Sequence, residues 1–174
     1  MRFSKSQILK YASLYDKKYL GKANALTEAK IKEVLRKRKP KFLTRDELIT
    51  IGKWKSPRTI KHCSSQDNDD CTVRSISEFS FSTKSERARI ESLFVFKGVN
   101  WPTASTILHF AFPHKYPILD FRVLEAIGWE KPAQYNFEFW QKYYSYLRKL
   151  AAGHKIDLRV LDKALWQMSK EKIV

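Results

Sequence analysis

Residues 93–120 read LFVFKGVNWPTASTILHFAFPHKYPILD: two helical patterns joined by a short turn, then an apolar run that stops at one carboxylate. Before the turn, Ile90, Leu93, Phe94 and Lys97 continue a helical pattern that begins near Ser85. After it, Ala104, Ile107, Leu108 and Ala111 recur at helix spacing. Between them lie Gly98, Val99, Asn100 and Trp101. Gly98 takes positive φ without steric cost, Asn100 is among the few other residues that tolerate the left-handed region, and Pro102 suits the first turn of a helix. The expected product is a tight helical hairpin whose second helix offers unpaired N–H groups and a positive dipole end to an anion.

The pattern resembles the helix-hairpin-helix motif of DNA repair proteins. Leu93, Gly98, Val99, Thr103, Ala104, Ile107 and Leu108 fit it, and Asn100 stands where the motif has its second glycine. In the helix-hairpin-helix DNA glycosylase superfamily a catalytic aspartate follows the second helix and opens another. Here Pro117-Ile118-Leu119-Asp120 occupies that place, with Asp120 standing 22 residues after Gly98. The resemblance covers residues 86–128, roughly a quarter of the chain. It implies a compact all-α fold, Asp120 as the catalytic group, and duplex DNA as the partner. Its hairpin clamp would be Gly98, Val99, Asn100 and Trp101, supported by Lys97 and Thr103. Taken alone, an Asp after an apolar run is an N-cap, and the two roles are compatible.

The resemblance also indicates a subtype. Members that are both glycosylase and lyase carry a Schiff-base lysine at the position that Pro102 fills here, so this chain is similar to the monofunctional, water-using members. Relatives with an iron–sulfur cluster bear four cysteines beyond the catalytic region, and no Cys follows Asp120. No cofactor or metal is therefore expected. Cys63 and Cys71 lack C-x-x-C spacing and suit a reducing compartment, while the four histidines lack the spacing of a zinc site.

With 34 Lys+Arg against 18 Asp+Glu the formal charge is +16, which favours a polyanionic partner without distinguishing DNA from RNA. No apolar run approaches the ~18 residues that would span a membrane, and the charged N-terminus does not read as a signal peptide. A cytoplasmic location is expected. A chain of 174 residues suffices for one core. It reads as a single all-α domain over 1–174, or two small lobes sharing a cleft; oligomeric state is not legible.

Along the chain, Ser4 caps a helix that runs to about Leu20, and Thr27 is expected to cap a second that stops before Pro40. Thr44-Arg45-Asp46-Glu47 is a capping box. The helix it starts runs into Lys53-Trp54-Lys55-Ser56-Pro57-Arg58, where Lys53, Lys55 and Arg58 are candidate phosphate contacts. Trp54 is there either a stacking face for an unstacked base or a core residue. Residues 64–70, SSQDNDD, read as a mobile loop. Gly128 stops the helix after Asp120, Asn136 caps a long aromatic-rich helix, and Asp157 caps another. Trp140, Tyr143, Tyr144 and Leu147 are expected to close the core. Phe121 and Trp129, with Trp54, are candidates for a base pocket.

Three functions fit these observations: a DNA glycosylase, a non-catalytic DNA-binding hairpin protein, and a basic RNA-associated structural protein. The second leaves the spacing of Asp120 accidental, and the third uses only the charge.

Overall fold

The computed structural model describes residues 3–172 and is all-α, with no strand among them. Its helices are α1 (Lys5–Tyr19), α2 (Ala23–Lys37), α3 (Arg45–Lys55), α4 (Ile60–Cys63), α5 (Asp70–Ser82), α6 (Glu86–Glu91), α7 (Trp101–Ala111), α8 (Phe121–Ile127), α9 (Phe137–His154) and α10 (Leu158–Lys170). Short 3₁₀ turns cover Pro57–Thr59 and Ser92–Val95. No described helix is long and apolar enough to cross a membrane.

Local chemistry explains most of the boundaries. Ser4 and Thr44 form full capping boxes with Gln7 and Glu47, and Asn136 and Asp157 accept the Phe139 and Arg159 amides in the first turns of α9 and α10. Gly128 ends α8 at φ 73°. The second helix departs from expectation. It starts at Ala23, behind Lys22, with no side-chain cap, so Thr27 lies inside it. The run Ala23-Asn24-Ala25-Leu26 needs no polar cap because tertiary contact anchors it: the Trp54 indole donates to the Asn24 carbonyl at 2.9 Å.

Helix α7 lies at the centre. Every residue from Thr103 to Ala111 is buried, as α2, α3 and α6 pack around it. On the other side α1 lies along α10, which packs on α8 and α9. Trp140, Tyr143, Tyr144 and Leu147 are buried between them, as their spacing predicts. The aromatic rings of Tyr116, Trp140 and Tyr144 stack at centroid distances of 5.3 to 6.1 Å.

The acidic stretch 64–70 is a docked turn rather than a free loop. Asn68 is fully buried; its amide donates to the Cys63 and Lys97 carbonyls, and its oxygen accepts the Lys97 amide at 2.8 Å. Arg45 ties down the Ser64 and Asn68 carbonyls. Polar composition suggested a loop; one buried amide with all its bonds satisfied makes it a brace for the hairpin.

Candidate nucleic-acid interface and carboxylate site

The hairpin forms with two differences from its expected geometry. Its first limb is α6 followed by the 3₁₀ turn, so Lys97 lies in the turn itself. Gly98 alone takes positive φ, at 83°, while Asn100 is extended and caps α7 by accepting the Thr103 amide. Position 100 therefore does not need a second glycine. Gly98 is needed twice over: a Cβ there would stand 2.6 Å from the His62 Cβ and 3.0 Å from the Cys63 nitrogen. Gly98→Ala is expected to lower stability by at least about 2 kcal/mol, from the left-handed backbone and the clash together; urea denaturation measures it, and a loss below about 0.5 kcal/mol would contradict this packing.

The clamp residues differ in what they present. Lys97 is exposed, with its ammonium 3.3 Å from Asp67; Arg58 and Asn100 are exposed as well. Val99 and Thr103 are buried, so Val99 offers only backbone, and the Thr103 hydroxyl serves the Asn100 cap rather than a ligand. The Gly98, Asn100 and Trp101 amides have no acceptor among the described residues. A shallow depression joins this turn to Arg58, Thr59 and His62. His62, a surface residue four positions past Arg58, had no local signal to mark it as part of this face.

Asp120 is placed by a set of bonds from α7 and α9. The Ser105 hydroxyl accepts the Leu119 amide at 2.8 Å, the Tyr143 hydroxyl donates to the Ile118 carbonyl at 2.6 Å, and His109 Nδ1 lies 2.7 Å from the Tyr116 carbonyl. A carbonyl only accepts, so His109 Nδ1 carries the proton and Nε2 accepts from Lys32 at 2.8 Å. Burial, with Lys32 and Arg159 nearby, drives this imidazole well below its ordinary range and keeps it neutral. His109 is thus a packed histidine that pins the strand-like run leading to Asp120.

At the carboxylate, Oδ1 accepts the Arg122 amide at 3.0 Å, the N-cap role, and Oδ2 receives the Lys55 ammonium at 2.7 Å. Lys55 also donates to the Leu119 carbonyl. Its side chain is only 11% exposed: the end of α3 turns it inward, and its ammonium is engaged by Asp120 where its position by the basic loop suggested a free phosphate contact. Lys53 stays exposed, outside the depression and the cleft.

Asp120 is 19% exposed and faces two hollows. A small one of 270 Å³ includes Lys55, Asn100, Trp101, Phe121 and Tyr135; a larger cleft of 770 Å³ runs between α1 and α10 on one side and α2 and the end of α3 on the other. The three base-pocket candidates do not converge. Phe121 is 55% exposed in the small hollow. Trp54 lines the cleft but leans its edge on Phe110, ring centroids 5.1 Å apart. Trp129 belongs to neither hollow and packs against Phe139, Tyr143 and Tyr146. Sequence distance hid the cleft's own aromatics, Tyr15, Tyr19 and Trp166, on the first and last helices.

Below the cleft, Arg159 donates to both Glu28 oxygens, at 2.8 and 2.6 Å, and to Asp162. Burial pushes the Glu28 carboxyl up, but Arg159 and Lys32 outweigh it and hold it at about 2. Asp162 goes the other way: burial raises it to about 6, against the pull of Arg159.

Compared with known proteins, the chain matches no family model, no curated protein and no solved structure.

Proposed function

We propose that this protein is a monofunctional DNA glycosylase-like enzyme that hydrolyses the N-glycosidic bond of an altered base everted from duplex DNA. One observation carries the reading: the Asp120 carboxylate is partly exposed at the junction of a hairpin-lined hollow and a cleft large enough for a nucleobase. Asn100, Pro102 and Lys55 belong both to that hollow and to the depression beside the hairpin amides. A strand held there by its phosphates would pass directly over the carboxylate.

As the base departs with the electron pair of the C1′–N bond, positive charge builds on the sugar, and Asp120 stabilises it. Water adds to C1′ and loses its proton to the carboxylate or to solvent, while the base nitrogen takes up a proton. The charge of +16 draws in the polyanion. Incubation with duplexes that each carry one altered base, followed by alkali, is expected to reveal abasic sites for at least one of them. Binding without release from any would favour the non-catalytic hairpin protein, and preference for RNA over duplex DNA across salt concentrations would favour the RNA-associated one.

A second reading rests on Lys55, an amine 2.7 Å from Asp120 that arrives from α3 and not from the hairpin. For the water-using enzyme, borohydride is expected to trap no covalent protein–DNA adduct. An adduct formed by the native protein and lost in Lys55→Gln would make Lys55 the nucleophile.

A further inference from the structure

The acids and bases of the large cleft are paired, but not evenly. Asp16 faces Lys163, and Asp120 holds Lys55 and the Arg122 amide. Glu28 takes three hydrogen bonds from cations: both its oxygens accept from Arg159, and Oε1 also accepts from Lys32 at 2.6 Å. Asp162 takes a single one. Its Oδ2 accepts from Arg159, whereas Oδ1 has no partner among the described residues and is not sealed off, at a residue that lines the cleft.

The uneven sharing sets the two carboxyls apart. Cations crowd Glu28 and keep it ionised, while Asp162, 4% exposed, leans on a guanidinium already engaged twice. Burial raises the Asp162 carboxyl to about 6; Arg159 opposes the rise, the Asp120 charge adds to it, and Lys55 opposes it. The other groups around it are Lys32 and Glu28 on α2, Tyr15 on α1 and Tyr143 on α9. Two carboxyl groups that border one cleft in different environments divide acid and base roles between them.

We infer, resting on the glycosylase reading above, that Asp162 is the general acid of base release: its Oδ1 passes a proton to a nitrogen of the base seated in the cleft as the C1′–N bond breaks. The departing base keeps the electron pair of that bond, and the proton from Oδ1 neutralises it. Water adds to C1′ beside Asp120 and loses its proton to that carboxylate or to solvent, and solvent returns a proton to Asp162. A neutral base leaves as an anion and needs this proton. N7-methylated guanine already carries a positive charge and leaves neutral without it.

The test uses the full chain and duplexes identical except for one base: hypoxanthine, uracil, N7-methylated guanine or an unmodified base. Single-turnover release above the spontaneous rate is measured from pH 5.5 to 8.5, beside binding by fluorescence anisotropy. Native protein is expected to release at least one neutral altered base, at a rate that falls roughly tenfold between pH 7 and 8. Asp162→Asn, which keeps an oxygen for Arg159, is expected to release that base about 100-fold more slowly at pH 6 and without that fall. Its duplex affinity is expected to stay within about threefold of native. Where native protein also releases N7-methylated guanine, the variant is expected to release it at the native rate, which a merely structural defect would not allow. A native rate that is flat from pH 7 to 8 would overturn the inference whether or not the variant folds. So would release confined to N7-methylated guanine, a native profile in the variant, or an equal loss for both kinds of base; each leaves the glycosylase reading standing. No release by native protein from any duplex would remove both.

Discussion

Asp120→Asn is expected to slow base release by about 100- to 1,000-fold while leaving duplex affinity within about threefold of native. The substitution separates the proposed catalytic role of this residue from its N-cap role. Asparagine is as good an N-cap as aspartate, and its oxygen can still accept the Arg122 amide that Oδ1 accepts now. What it lacks is the negative charge that the proposed reaction needs beside the sugar. Single-turnover release measured against equilibrium binding makes the distinction, because a residue that only capped α8 would tolerate Asn with no loss of rate. Native rates in this variant would end the catalytic assignment. A parallel loss of binding would mean instead that Lys55, without its carboxylate partner, had disturbed the surface around the hairpin.

Arg159→Met is expected to cost about 3–5 kcal/mol of stability at neutral pH, because it leaves two buried carboxylates without their shared cation. Against a typical total of roughly 5–15 kcal/mol this is a severe loss. The pH dependence has a definite sign. Glu28 is held at about 2, below its usual 4.5, so its contribution is complete above pH 4.5 and disappears as pH falls toward 2. Asp162 is raised to about 6 from 3.8; its contribution is present below 3.8 and is lost as pH rises through 6. Without the guanidinium both carboxyls shift upward, so the deficit of the variant is greatest above pH 7 and shrinks as they take up protons in acid. Urea denaturation at pH 4.5 and 7.5 measures it. A deficit below about 1 kcal/mol, or one unchanged by pH, would show that this buried network does not bind α10 to α2.

Features with local causes could be read from the residues alone. Ser4, Thr44, Asn136 and Asp157 cap helices because a side-chain oxygen reaches an amide two or three positions on, and Gly128 ends one because its backbone conformation disfavours a Cβ. Periodic apolar spacing likewise marked the all-α class and the buried face of α9. Gly98 was legible for the same reason. Asn100 was expected to tolerate a left-handed turn and is instead an extended N-cap: both suit asparagine, and only its neighbours choose between them.

Of the candidate site, the sequence marked one residue and hid its surroundings. Asp120 could be singled out from its distance to the hairpin, but its pairing with Lys55 joins residues 65 apart, and the Glu28–Arg159 pair joins residues 131 apart. Neither leaves a periodic or short-range trace. A hydrogen bond within one helical turn depends on residue type and spacing, which the chain carries along its length. Whether a lysine meets solvent or a carboxylate, and whether Trp54 or Trp129 lines a cleft, depends on how α1 and α10 lie against α2 and α3, and that is decided when the core closes around α7.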